Sequence, residues 1–225
     1  MKITYILLAY AALFILGIID NSRGPVYPEL LKLFNVTNSQ GSLIFSIASF
    51  SSFAVSVFSG RWLKYLGTIN STRIALILDI LTCLLMGTVS GGQSGYYQFL
   101  TSAVALGLSM GIKGITLNLM INHGSLVTNR RQIYGGLHAM YGIASLVAPL
   151  IFGYIFKYKL DWQVYFLLLS LLPCAVFILS FRKRNSKRIK VVQDISGAWN
   201  KQVIVFSGIF VFYVASEILI SSRLV

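Results

Sequence analysis

Acidic residues are scarce in this sequence. The 225-residue chain holds six Asp and Glu against nineteen Lys and Arg, and charged residues make up 11% of it, where a soluble globular chain carries about 25%. Six acidic side chains cannot solvate the surface of a 24.9 kDa protein. That excludes a soluble globular fold, and a hydrophobic content of 56% excludes a disordered chain. Cysteine is nearly absent: Cys83 and Cys174 both lie inside apolar runs, which excludes a disulfide scaffold, and their spacing suggests no metal site. They read as small apolar fillers. The sequence also lacks a phosphate-cradling glycine loop, a Ser/His/Asp arrangement and a Cys/His cluster. Its glycines fall in apolar runs or short turns, so no enzyme activity, metal or cofactor is expected. What remains is a protein whose solvent is mostly lipid.

The basic residues that are present sit in short breaks between apolar runs rather than across a surface. The net charge of +13 therefore reports membrane orientation and not a nucleic-acid partner. A bilayer core about 30 Å thick needs roughly 20 helical residues per crossing. The runs predict helices over Ile3–Ile19, Ser42–Trp62, Arg73–Ser90, Tyr97–Asn122, Ile133–Phe156 and Trp162–Phe181, with a seventh over Val203–Ile220. The first run follows a single Lys as a signal peptide does, but it lacks a small-residue cleavage pattern and reads as an uncleaved helix. The breaks are a polar turn over 34–40, a basic loop over 60–67, an uncharged turn over 91–95, a basic loop at Asn129-Arg130-Arg131 and a hairpin over 157–161. The longest polar stretch, 182–190, carries six basic residues in nine. The expected organisation is a six-helix bundle over 1–181, a basic linker over 182–201 and the seventh helix over 202–225.

Alternating the sides places Lys2, Arg61, Lys64, Arg130, Arg131 and the linker on one face of the membrane. The other face receives Arg23, Lys32, Lys157 and Lys159. The richer face is expected to be cytoplasmic, with the N-terminus inside. The chain is expected as a multi-pass protein of a plasma (inner) membrane, with the lipid bilayer as its first partner.

Ionisable residues inside apolar runs are costly, about 2.5–3.5 kcal/mol each on insertion scales, and need a partner or a wet cavity. Asp20 and Arg23 are three apart, able to pair on one face if the helix continues. They read either as the outer cap of the first helix or as a cavity carboxylate, with Asn21 between them, that takes a proton. Asp79 and Lys113 lie at comparable depths, roughly 9 and 15 Å from one end at 1.5 Å per residue. They read as a mutually neutralising interhelix pair or as substrate and proton groups. Gly107, Gly111, Gly114, Asn118 and Asn122 form a small-residue stripe, with Asn118 as a hydrogen-bonding group. Lys113 points away from that stripe, towards a different environment such as a cavity. His138, Gly142, Ser145 and Pro149 share one face of the fifth helix. His138 could shuttle a proton or bond a nearby carbonyl.

Several motifs together resemble the major facilitator superfamily, and within it the fucose-permease-like branch. Gly60-Arg61-Trp62-Leu63-Lys64-Tyr65-Leu66-Gly67 is similar to the family's G-x-x-x-D-x-x-G gating loop, with Lys64 where the Asp usually stands. Gly24-Pro25-Val26-Tyr27-Pro28-Glu29-Leu30, followed by Leu33-Phe34 and Ser39-Gln40-Gly41, resembles the end of helix one and the start of helix two. Leu137-His138-Ala139-Met140-Tyr141-Gly142 with Pro149-Leu150 resembles the branch's helix-five signature. Phe212-Tyr213-Val214-Ala215-Ser216-Glu217 resembles its seventh-helix segment. The resemblance covers nearly the whole chain. It implies an all-α integral membrane fold, the N-terminal six-helix half of a twelve-helix transporter plus one further helix. It also implies proton-coupled transport of a sugar or similar small polar solute by alternating access. Asp20, Asn21, Arg23, Asp79, Lys113, Asn118, His138, Tyr141 and Glu217 are the expected substrate or proton groups. Ending soon after Glu217, the chain is expected to be a truncated form that works with a complementary half, or else a transport-incompetent remnant or a membrane scaffold.

Overall fold

The computed structural model describes residues 3–181 and, within 182–225, Val205, Gly208, Ile209 and Phe212. Two units divide the chain, Met1–Ile189 and Lys190–Val225. The four described residues of the second are helical. The basic linker, Glu217 and the rest of the expected seventh helix lie outside the described residues.

Among the described residues, six apolar runs give six helical spans. They are α1 Ile3–Phe34, α2 Asn38–Val57, α3 Ser59–Gly87, α4 Gly92–Gly124, α5 Arg130–Lys157, and a sixth made of two pieces, α6 Trp162–Leu169 and α7 Leu171–Ser180. No strand occurs among the described residues. The fold class is the one the sequence implies, all-α and membrane-embedded, because hydrocarbon leaves backbone groups no partner but their own helix.

Three boundaries differ from the sequence expectation. First, α1 does not end near Ile19 but runs on to Phe34 with Pro25 and Pro28 inside it. Its polar residues find partners on the same helix: Asn21 Nδ2 donates to the Gly17 carbonyl at 2.8 Å, Ser22 Oγ donates to the Ile18 carbonyl at 2.7 Å, and Arg23 pairs with Asp20 through one of its nitrogens. Polarity ends a membrane helix only when it cannot be answered locally. Second, the expected basic loop over 60–67 is helical. It forms the first two turns of α3, broken at Gly67, whose φ of +71° suits a residue without a Cβ. Third, the sixth span breaks at Ser170, because Pro173 has no N–H for the Leu169 carbonyl.

α1 runs through the middle of the bundle, against α4, α5 and α7, and α4 lies between α2 and α3. Ile15 to Ile19 are consecutively buried. Glycine sets the closest approaches. A Cβ on Gly107 would collide with the Ala48 backbone of α2, and one on Gly111 with Val55 and the Ser52 carbonyl. The rest of the small-residue stripe does not continue this seam. Gly114 faces open space, Asn118 bonds back to the Gly114 carbonyl, and Asn122 is exposed. α2 has ended at Val57 by that level.

Arg73 ties α3 to the end of α7. Its Nε donates to Ser180 Oγ at 3.0 Å and its Nη2 to the Ser180 carbonyl at 2.8 Å, and its guanidinium lies 4.2 Å from the Phe181 ring centre. A cation at a helix C-terminus answers carbonyls that have no helical donor.

Gly107→Ala is expected to lower stability by about 1–3 kcal/mol through overpacking. Gly114→Ala, with free space, is expected to leave it unchanged or raise it. Thermal unfolding of both variants in detergent measures the difference.

Candidate functional site

Among the described residues, the apolar interior contains two ionic clusters. The first is built on the middle of α1. Asp20 accepts on Oδ1 from Arg23 and on Oδ2 from the Tyr141 hydroxyl of α5, at 2.5 Å. One turn earlier, Gly17 allows α5 to approach: a Cβ there would stand 2.7 Å from the Ala144 Cβ and 3.2 Å from Tyr141. The Tyr141 hydroxyl reaches Asp20 because Gly17 has no side chain. Ser22, on the other side of α1, meets the Tyr165 hydroxyl of α6 at 3.0 Å. The Arg23 guanidinium lies 5.1 Å from the Phe45 ring centre of α2, a cation–π contact. Four helices thus meet in one cluster of polar and aromatic groups.

The cluster is mostly enclosed without being sealed. The Arg23 side chain is 8% exposed and that of Asp20 is 14% exposed. Gly24, one turn beyond Asp20 on the same face, has nothing within 4 Å of where a Cβ would sit. Arg23 Nη1 is buried, with no hydrogen-bond acceptor among the described residues.

The second cluster lies between α3 and α4 and is closed. Asp79 pairs with Lys113 through Oδ2, and both side chains have 0% exposure. The Ser109 hydroxyl sits 2.5 Å from Asp79 Oδ1 and 3.0 Å from the Ala75 carbonyl. Lys113 does point away from the glycine stripe, but towards α3 rather than into a cavity. Thr72 on α3 donates to Thr116 on α4 at 3.0 Å, extending the polar seam by one turn. With the two charges cancelled and the carboxylate bonded on both oxygens, this cluster answers its own desolvation internally.

The other sequence candidates are dispersed. His138 is exposed on α5, as are Gly142 and Pro149 on the same face. Asn118 accepts from the Tyr134 hydroxyl on its backbone carbonyl at 2.8 Å. Gly60, Arg61 and Lys64 are exposed on the first turns of α3, where Arg61 lies 5.8 Å from the Phe58 ring centre. Among the described residues no group of three or more His, Cys, Asp or Glu could hold a metal ion. Sequence reasoning passed over Ser109, Ser22, Tyr165, Phe45 and Arg73. Ser109 was within reach, since it stands four residues before Lys113 and shares its helix face. The two interhelix partners of Ser22 and Arg23, Tyr165 and Phe45, carry no local signal.

The family model described as Major Facilitator Superfamily matches residues 9–222. The chain is 25% identical over 154 residues to the "Bypass of stop codon protein 6" of Saccharomyces cerevisiae, covering 68% of this chain and 30% of that protein. Its fold is similar to that of the proton:xylose symporter XylE bound to 6-bromo-6-deoxy-D-glucose, with a TM-score of 0.71 at 13% identity, covering 83% of this chain and 46% of that one. The chain therefore spans less than half the length of either.

Lys113→Ala strands the Asp79 carboxylate in the bundle and is expected to cost about 3–5 kcal/mol. The double variant Asp79→Asn, Lys113→Met, without a net buried charge, is expected to recover most of that loss. Yield and thermal unfolding in detergent, compared across single and double variants, check the coupling.

Proposed function

The chain belongs to the major facilitator superfamily, and on that premise we propose that it forms one helical half of a proton-coupled secondary transporter for a sugar or similar small polar solute. The half would work by alternating access against a second helical unit, around a site between the two. The observation that carries the reading is the Asp20 carboxylate. It lies in the middle of a membrane helix, is bonded by Arg23 and Tyr141, and is the one of the two clustered carboxylates that keeps some exposure.

In the proposed cycle a proton reaches Asp20 from the open side. Neutralising the carboxylate removes the attraction that holds Arg23 to it and reverses the sense of one hydrogen bond, since a protonated oxygen can donate. The Tyr141 hydroxyl, released from donating to a carboxylate, can turn towards the solute. Protonation thereby changes the hydrogen bonds offered to the solute, so proton and solute binding are linked. The likeness to a protein named as a proton:xylose symporter supports this chemistry. The proposed setting is a plasma (inner) membrane with the N-terminus on the cytoplasmic side, the side that receives Arg61, Lys64, Arg130 and Arg131.

The second reading is the alternative set out from the sequence, a chain that does not transport or that serves as a membrane scaffold. Uptake separates the readings. Vesicles holding the chain, alone or with a complementary six-helix unit, are expected to accumulate labelled sugar when an inward proton gradient is imposed. Asp20→Asn is expected to reduce gradient-driven uptake to the level of empty vesicles while leaving thermal unfolding in place. Vesicles that stay at the empty level in both arrangements rule out transport and favour the second reading.

A further inference from the structure

α5 is seated on α1 at two close contacts, and both depend on glycine. Near the start of α5 the Tyr10 hydroxyl of α1 donates to the Ile133 carbonyl at 2.7 Å. That hydroxyl lies over Gly136, where a Cβ would collide with it. Seven residues later on α1, about 10 Å along the axis, a Cβ on Gly17 would stand 2.7 Å from the Ala144 Cβ and 3.4 Å from the Tyr141 Cα. Two contacts so spaced fix the tilt and rotation of α5 along this stretch. Tyr141, one turn before Ala144, thereby delivers its hydroxyl to Asp20 Oδ2 at 2.5 Å.

The atoms facing Gly17 cannot yield on their own. The Ala144 Cβ and the Tyr141 Cα belong to the α5 backbone, so room for an added Cβ has to come from moving the helices apart. Two carbons rest at about 3.5–4.0 Å, so a Cβ at 2.7 Å from Ala144 demands a separation about 1 Å wider. The Tyr141 ring, 3.2 Å from the same point, is pushed the same way. A 2.5 Å hydrogen bond lengthened by that amount reaches about 3.5 Å, where it is no longer made.

Among the described residues, the other charges near Asp20 are already placed. Arg23 pairs with Oδ1. α2 offers the Phe45 ring to Arg23, and the Tyr165 hydroxyl of α6 is engaged with Ser22. Lys113 of α4 and Asp79 of α3 are committed to one another, and the ionisable residue of α7 is Cys174. His138, one turn before Tyr141 on α5, is exposed. Tyr141 is thus the group through which α5 senses the charge on Asp20.

We propose that Gly17 is a positioning residue for proton coupling: by letting α5 rest against α1 it keeps the Tyr141 hydroxyl on Asp20, and so makes solute affinity depend on whether Asp20 carries a proton. The proposal rests on the transporter reading. With the hydroxyl out of reach, protonating Asp20 no longer releases it, and the solute meets the same Tyr141 in both states. Solute still binds, but its link to the proton weakens.

The test reads the half-saturating concentration of labelled D-glucose or D-xylose for exchange, with equal pH on both sides of vesicles holding the chain in the arrangement that transports. For wild type it is expected to fall about tenfold for each unit by which pH is lowered, at the steepest, as for one proton bound with one solute. Gly17→Ala is expected to reduce that slope to about threefold or less, as one hydrogen bond to a charged group drops out of the linkage. Ala144→Gly removes the atom that the new Cβ meets, so the double variant Gly17→Ala, Ala144→Gly is expected to regain the wild-type slope. Gly153→Ala, on the same helix with free space, is expected to keep it. On the Tyr141→Phe background, with no hydroxyl to hold, Gly17→Ala is expected to leave the slope unchanged while still lowering the unfolding temperature. Should Gly17→Ala fail to fold, Ala144→Ser adds one atom at the same contact from the α5 side and is expected to lower the slope in its place. A folded variant of this seam that keeps the wild-type slope overturns the inference. So does a double variant that fails to regain the slope, or a further loss of slope on the Tyr141→Phe background. Each of these leaves the transporter reading intact. Wild-type exchange that ignores pH, or no exchange of either sugar, overturns the proton-coupled reading and this inference together.

Discussion

In hydrocarbon there is no water to answer a stray polar group, and the rest of this structure follows from that constraint. Hydroxyls inside the helices bond back to carbonyls one turn earlier, as Ser56 does to Ser52, Thr82 to Leu78 and Ser125 to Ile121. The charged side chains are not answered by a carbonyl of their own helix alone. Asp20, Arg23, Asp79 and Lys113 instead reach to neighbouring helices, Asp20 for the Tyr141 hydroxyl, Arg23 for the Phe45 ring, and Asp79 and Lys113 for one another. Two clusters result, one joining α1 to α2, α5 and α6, the other joining α3 to α4.

Close approach is the second requirement, since hydrogen bonds between helices need backbones near one another. Glycine provides it at two places that matter. Gly17 lets α5 come near enough for Tyr141 to bond Asp20, and Gly107 with Gly111 seats α4 on α2. Association of helices in lipid depends on such packing rather than on expulsion of water. The same α4 helix presents Ser109 and Lys113 to α3 from another face. Packing on one side of α4 and charge pairing on the other therefore fix its rotation together.

Among the described residues the spans were legible in the sequence, because a bilayer demands a fixed length of apolar chain and the first six of the seven predicted runs meet it. Helix ends were less legible wherever polarity was taken as a stop. Asp20 to Arg23 looked like the end of a helix and is the middle of one, since Asn21 and Ser22 bond back to carbonyls one turn earlier and Asp20 pairs with Arg23. The stretch over 60–66 looked like a loop and is helical, with its break deferred to Gly67. For the site, spacing of three residues gave the Asp20–Arg23 contact and matched depth gave the Asp79–Lys113 contact. The hydroxyl of Tyr141 on Asp20 and that of Tyr165 on Ser22 depend on how α5 and α6 are rotated against α1. No pattern within either helix encodes that rotation. It emerges from contacts such as Gly17 against Ala144.

The two carboxylates differ in what protonation would leave behind, and that difference supports assigning the proton in our proposal to Asp20. Protonating Asp79 would strand the Lys113 ammonium at 0% exposure, with the hydroxyl of Ser109 already committed. A lone ammonium in that environment is among the most expensive groups a membrane bundle can hold. Protonating Asp20 strands much less. Arg23 keeps the Phe45 ring against its face and the Asp20 carbonyl at Nε. Its delocalised charge tolerates partial hydration better than an ammonium does. One ionic pair is thus arranged so that losing a partner is ruinous, and the other so that it is tolerable. A device that must alternate between two protonation states needs the second kind.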